Sequence, residues 1–218
     1  MLKLVVYDLD GTLVDSRADL CDAVNATLTA LKLEPLISSQ VLSFVGEGAE
    51  LLMRRSLRAA TRRDDGDDLF LKQAMPLWTR EYQKRLVAKT KLYPGIVDLI
   101  KKPPTRRAVL TNKPGGFARE ILERLGVAPF FNKVVGGDEA PRKPDPRGLV
   151  ALCKELEAQP SETLYVGDST IDISTAKAAG VPVCAVSWGL TDARDLRNAE
   201  PDFLCASAAE VIALLTKH

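Results

Sequence analysis

Short β-branched and apolar runs, each stopping at a polar residue or a glycine, recur along this chain with helical patterns between them. No other feature limits the fold as strongly. The first run is residues 2–7 (LKLVVY), ending at Asp8; the others are 108–110 before Thr111, 133–135 before Gly136 and Gly137, 163–166 before Gly167, and 183–186 before Ser187. Runs this short and this apolar suit parallel strands buried on both faces. Between them, Phe117, Ile121, Leu122 and Leu125 are closed by Gly126, and residues 171–179 by Gly180, as helices are. Strand and helix alternating at this spacing predict an α/β fold built on a doubly wound parallel sheet.

One stretch, about 16–92, breaks the alternation. Leu20, Ala23, Val24, Thr27, Leu28 and Leu31 share a helical face, Leu51, Leu52 and Ser56 suggest a second helix, and Leu77, Trp78 and Tyr82 a third. A charged turn is expected at 62–68, and Pro76 should kink the last helix or mark its boundary. The expected organisation is therefore a core of residues 1–15 and 93–218 with a small all-helical domain, 16–92, inserted after the first strand.

Lys and Arg total 30 against 29 Asp and Glu, a net charge of +1, so no global field draws the chain to nucleic acid or to a membrane, and any anion must be bound locally. The four cysteines, Cys21, Cys153, Cys184 and Cys205, form no CxxC pair and read as buried thiols of a reducing compartment. With no secretory pattern at the N-terminus and no apolar run of membrane length, a cytoplasmic protein is expected, as a monomer or homodimer.

Ligands of an open parallel sheet bind beyond the carboxyl ends of its strands, so the residues that follow each strand share one crevice. Here these are Asp8-Leu9-Asp10-Gly11-Thr12, Thr111-Asn112, and Gly167-Asp168-Ser169 with Asp172 close behind; Arg142-Lys143-Pro144-Asp145-Pro146 lies before the strand at 163. Carboxylates converging on one point repel each other at neutral pH, and a divalent cation resolves this. Hard oxygen ligands suit Mg²⁺, where zinc would favour Cys or His. A hydroxyl from Thr111, an amide from Asn112 and a charge from Lys143 can hold the non-reacting oxygens of a phosphoryl group.

The elements DLDGT, TN, KP and GDSxxD, in this order, resemble the four motifs of the haloacid-dehalogenase-like phosphatase superfamily along the whole chain. The resemblance implies a Rossmannoid core and an aspartyl-phosphate mechanism. Asp8 is then the nucleophile, Asp10 the acid and then the base, and Lys143 the catalytic cation. It gives Mg²⁺ to the side chains of Asp8 and Asp168 and the backbone carbonyl of Asp10, with Ser169 and Asp172 behind those ligands. The substrate it implies is a small phosphorylated metabolite. Phe44-Val45-Gly46-Glu47-Gly48-Ala49, Tyr93-Pro94-Gly95, Thr111-Asn112-Lys113-Pro114, Gly136-Gly137-Asp138 and Ala176-Lys177-Ala178-Ala179-Gly180 further resemble bacterial phosphoglycolate phosphatases. Ser187-Trp188-Gly189-Leu190 departs from that pattern, which has an aromatic after the glycine. The implied substrate is 2-phosphoglycolate, with a sugar or amino-sugar acid phosphate next; a mutase uses the same two aspartates.

Plainer roles stand beside these. Asn112 could cap the following helix and Thr111 simply end its strand; Asp172 could be a favourable charge at a helix start. Gly46, Glu47 and Gly48 are either a substrate loop or backbone relief before a helix. Arg54 and Arg55 fit a solvated face better than a substrate carboxylate, and Lys101, Lys102, Arg106 and Arg107 around Pro103-Pro104 fit a solvated turn. Other chemistries lack their parts. The sole histidine is His218, no cysteine has an arginine six positions on, and neither a GxSxG elbow nor a nucleotide-binding phosphate loop is present. A phosphonatase would need a lysine near Gly46. A binding protein without catalysis would have no use for both Asp8 and Asp10.

Overall fold

The computed structural model of the protein describes residues 2–62, 68–102 and 106–217. The chain forms two compact units, one of Met1–Asp15 with Leu92–His218 and one of Ser16–Lys91. β1 (Leu4–Tyr7) enters the sheet directly, and β2 (Val14–Asp15) and β3 (Lys91–Leu92) form a two-stranded ribbon. The helical unit holds α1 (Arg17–Ala30), α2 (Ser38–Leu42), α3 (Ala49–Thr61) and α4 (Asp68–Arg85). The chain then runs through α5 (Ile96–Ile100), β4 (Arg106–Leu110), α6 (Gly115–Arg124), β5 (Lys133–Val135), α7 (Arg147–Glu155), β6 (Thr163–Gly167), α8 (Thr170–Ala179), β7 (Val183–Val186), α9 (Ala193–Asn198), β8 (Phe203–Cys205) and α10 (Ala208–Leu215).

The main sheet has six strands in the order β5-β4-β1-β6-β7-β8, every pair parallel. The chain turns from one side of β1 to the other, which makes β1 the switch point where such sheets open a crevice. Register decides what meets there. Tyr7 lies opposite Val109 of β4 and Val166 of β6, so Asp8, the end of β4 and Gly167 emerge side by side. All of β1 is buried. Leu4 and Val6 pack on one face with Leu149, Leu152, Tyr165 and Ile173, while Tyr7 meets Phe131 edge-on at 6.2 Å. Each such side chain withdrawn from water contributes about 1.5–3 kcal/mol, which is why polar residues can be held stiffly just beyond the strand.

The α/β class and the five expected strands are present. The sequence shows no sign of β8, an edge strand of three residues of which only Cys205 is buried and whose pattern is too short to stand out. The group at 101–107 also differs from expectation. Pro103 and Pro104 lie outside the described residues, but Arg106 and Arg107 open β4, and Arg107 is buried, donating through its guanidinium to the Lys102 carbonyl. Its long stem covers apolar surface while its head finds a backbone acceptor.

In the helical unit, Leu20, Ala23, Val24, Thr27 and Leu28 form the buried face of α1. On α4, Leu71, Ala74, Trp78 and Tyr82 do the same, with the Trp78 and Tyr82 rings stacked at 5.1 Å. Pro76 neither ends nor divides α4. It sits on the exposed face, so the hydrogen bond it cannot make leaves a carbonyl facing water. Of the charged turn expected at 62–68, only Arg62, at the end of α3, and Asp68, at the start of α4, are described. Asp19, fully buried, accepts the Lys89 amide (2.9 Å), the Thr90 amide (2.7 Å) and the Thr90 hydroxyl (2.7 Å), tying the start of α1 to the returning segment. No helix among the described residues is long and apolar enough to cross a membrane.

Candidate active site

The loop after β1 folds on a single carbonyl. Leu9 O accepts the amides of Thr12 (3.3 Å), Leu13 (2.9 Å) and Val14 (3.0 Å), and the Gly11 amide bonds Val14 O at 2.9 Å. This tight turn needs Gly11 at φ +86°, and a Cβ there would lie 2.1 Å from Asp168 Oδ2, so two requirements meet on one glycine. Asp8, held by its amide to Val166 O at 2.9 Å, projects from the β1 end.

Lys143 is the centre of the site. Its side chain, 3% exposed, places Nζ 2.8 Å from Asp8 Oδ1 and 2.7 Å from Asp172 Oδ1, with the Tyr165 hydroxyl at 3.1 Å. Asn112 fixes its backbone from both sides, accepting the Lys143 amide at 2.8 Å and donating to its carbonyl at 3.0 Å. Asn112 does not cap α6, whose N-cap position is Pro114. Thr111, also buried, accepts the Lys113 amide at 3.3 Å.

The carboxylates differ in what engages them. Asp172 is fully buried. Its Oδ1 takes Lys143 and lies 3.1 Å from the Tyr165 hydroxyl, while Oδ2 accepts the Ser169 amide (3.0 Å) and hydroxyl (2.6 Å). The same residues form the capping box that starts α8, so Asp172 serves the helix start while one of its oxygens meets Lys143. Asp168 accepts the Thr12 hydroxyl on Oδ1 (3.0 Å) and the Leu190 amide on Oδ2 (2.7 Å). Asp8 Oδ1 is buried, and the Lys143 ammonium faces it at 2.8 Å.

Burial pushes the Asp8 carboxyl up to about 6, against the pull of Lys143 and with a further push from Asp172. Asp168 is raised well above the usual range by burial, then by Asp172 and Asp8. Burial alone would lower Lys143, but the charges of Asp172 and Asp8 outweigh it and hold the ammonium well above its ordinary value. Three carboxyls face this one ammonium, so ionising all of them would leave more negative charge than Lys143 balances. Oxygens of Asp8, Asp168 and Asp172 lie within 4.8 Å of one another, a set that could hold a metal ion. The fit is best for Asp8 and Asp168, because the lone pairs of Asp172 are already taken up by Lys143, Tyr165 and Ser169.

A family model described as haloacid dehalogenase-like hydrolase matches residues 5–186. The chain belongs to that family. Among its curated relatives, a phosphoglycolate phosphatase of Rhodospirillum rubrum is 45% identical over 195 residues, covering 87% of this chain and 81% of the relative. One from Nitrosospira multiformis is 37% identical over 220 residues, covering 99% and 96%. The crystal structure of a predicted phosphoglycolate phosphatase from Haemophilus somnus 129pt superposes with a TM-score of 0.90 at 29% identity, covering 98% of this chain and 97% of that one.

In this haloacid dehalogenase-like hydrolase, Asp8 and Asp10 follow β1, Thr111 and Asn112 follow β4, Lys143 lies on the segment between β5 and α7, Asp168 and Ser169 follow β6, and Asp172 is in the first turn of α8. Gly46, Glu47 and Gly48 belong to the helical unit. There the two glycines adopt φ of +121° and +93°, as backbone relief before α3 requires, and Glu47 bonds Arg55 at 2.5 Å. Arg54 pairs with Asp68 at 2.7 Å.

The sequence assigns no individual role to Lys113, Thr12 or Tyr165, and marks residues 187–190 only as a departure from a pattern. Lys113 Nζ contacts both oxygens of Asp10, at 2.9 and 2.7 Å. The Trp188 indole donates to Thr12 O at 3.1 Å, and a Cβ on Gly189 would lie 2.3 Å from Asp168 Oδ2. For Tyr165 a signal existed: a tyrosine within a buried strand needs a partner for its hydroxyl.

Proposed function

We propose that this hydrolase is a Mg²⁺-dependent phosphatase that hydrolyses a small phosphate monoester, 2-phosphoglycolate first, through an aspartyl-phosphate on Asp8. The observation that carries the reading is the Asp8 carboxylate itself, buried at the end of β1 with Oδ1 2.8 Å from the Lys143 ammonium and within reach of Asp168. An anionic nucleophile withdrawn from water and held beside a fixed cation is poised to attack a phosphate. The substrate follows the names of the relatives.

Asp8 attacks phosphorus, and the ester oxygen departs with a proton from Asp10. Water then attacks the aspartyl-phosphate as Asp10 takes its proton, releasing phosphate and returning Asp8. Lys143 and Thr111 hold phosphoryl oxygens; Asn112 fixes Lys143 from its backbone, and Asp172 orients its ammonium. The side chains of Asp8 and Asp168 and the backbone carbonyl of Asp10 would hold Mg²⁺, which when bound supplies positive charge that screens the incoming dianion and favours ionised Asp8. The helical unit, through Gly46, Glu47 and Gly48, is proposed to select the substrate.

The test is phosphate release from phosphoglycolate, hexose and amino-sugar phosphates, nucleotides and pyrophosphate, with Mg²⁺ and with chelator. Mg²⁺-dependent preference for phosphoglycolate is expected. Preference for another ester would keep the mechanism and replace the substrate, and phosphoryl transfer between sugar positions without release would make the protein a mutase. A related expectation concerns Gly189→Ala. The added methyl must displace an Asp168 carboxylate pinned by two hydrogen bonds, so Mg²⁺ affinity measured by titration calorimetry should fall by about 10- to 100-fold. Unchanged affinity would remove Asp168 from the metal site.

A further inference from the structure

The chemistry above gives the Lys113 side chain no task, yet it is 4% exposed and its ammonium lies against the 14%-exposed carboxylate of Asp10. Burying an ammonium costs several kcal/mol on the order-of-magnitude scale unless a counter-charge is at hand. Pairs such as Lys133–Glu155, 43% and 52% exposed, are solvated and contribute little by comparison. Lys113 is also held from its backbone: its amide bonds Thr111 Oγ1 at 3.3 Å, and its carbonyl accepts the Gly137 amide at 2.9 Å. The stiff end of β4 thus presents the ammonium to the loop that follows β1.

The contact has a specific geometric effect. The last torsion of an aspartate is broad, so a carboxylate without constraint samples many orientations of its plane. One ammonium straddling both oxygens, at 2.9 and 2.7 Å, restricts that plane and uses one lone-pair direction on each oxygen. Proton transfer to a leaving alkoxide or from water needs the oxygen within hydrogen-bond reach and correctly aimed. We infer that Lys113 is a positioning residue for Asp10, fixing the plane of the carboxylate that serves both half-reactions. The inference rests on the phosphatase reading of Asp8 and Asp10.

The experiment compares wild type, Lys113→Met, Lys113→Arg, Asp10→Asn and the Asp10→Asn/Lys113→Met double variant on an alkyl phosphate and on p-nitrophenyl phosphate. With the alkyl ester, K113M should lower kcat by about 100-fold with little change in KM, and K113R should recover part of the loss. The double variant should be no slower than Asp10→Asn alone, because Lys113 acts through Asp10. With p-nitrophenyl phosphate the leaving group needs no proton. K113M should then keep a near-wild-type burst of p-nitrophenolate, followed by slow turnover as the phosphoenzyme waits for its base. The burst amplitude counts folded, competent sites, so misfolding of part of the sample does not imitate the effect. Additive losses in the double variant, equal slowing of the burst, a change confined to KM, or wild-type rates in K113M would each overturn the inference. A wild-type protein that hydrolyses neither ester would instead sink the phosphatase reading, and this inference with it.

Discussion

Asp8→Asn should lower turnover by about 10⁴-fold or more while making the metal-free protein no less stable at neutral pH. The amide is nearly isosteric but cannot form the acyl phosphate, so no intermediate accumulates and the residual rate is that of a site that only binds. The stability expectation follows from the direction of the Asp8 shift. Burial outweighs Lys143, and the folded-state value stands at about 6 against 3.8 for the free group. The native state therefore binds the proton more tightly than the unfolded chain. The resulting stabilisation is fully present below 3.8 and is lost as pH rises through about 6. Asp168 shifts in the same direction. The melting-temperature difference, wild type minus variant, should fall across that window in chelator. Added Mg²⁺ at neutral pH should raise the wild type selectively, by about 2.7 kcal/mol at a hundredfold excess over Kd. Differential melts from pH 4 to 8 check this; turnover surviving in the variant would remove Asp8 as nucleophile.

Lys143→Met is expected to cost both stability and activity. The ammonium is the cation nearest to Asp8 and Asp172, at 2.8 and 2.7 Å, in a site where its own side chain is 3% exposed. Removing one partner of a buried ion pair leaves uncompensated charge, a loss of about 3–5 kcal/mol. Turnover should fall by about 100- to 1,000-fold, the scale for losing one preorganised electrostatic contact to a developing charge. Adding Asp172→Asn to Lys143→Met should restore part of the stability, since one of the stranded carboxylates is gone, and none of the activity. Urea denaturation with matched assays separates the two effects. Full recovery of activity in the double variant would show that Lys143 serves only to neutralise Asp172.

The strands and the residues that follow them were legible because burial on both faces makes β1, β6, β7 and the second half of β4 largely apolar, so each polar residue at their C-terminal ends stands out. The helical insertion was legible for the matching reason, as the α1 stripe from Leu20 to Leu28 repeats at helical spacing. Edge strand β8 and the continuity of α4 through Pro76 were not. In both, the decisive quantity is exposure, which a local pattern does not carry.

By itself, then, the sequence determined the fold class, the order of the loops and the residue types on them, since these depend on short-range periodicity and on chain order. Tertiary structure alone decided how the carboxylates divide their labour. Asp172 is committed to Lys143, Tyr165 and Ser169, Asp168 to Thr12 and Leu190, and Asp8 faces the Lys143 ammonium. Lys113 meets Asp10 across 103 positions of sequence. Contacts of that span follow from sheet register and loop closure, where a shift of a few ångströms exchanges one charged partner for another.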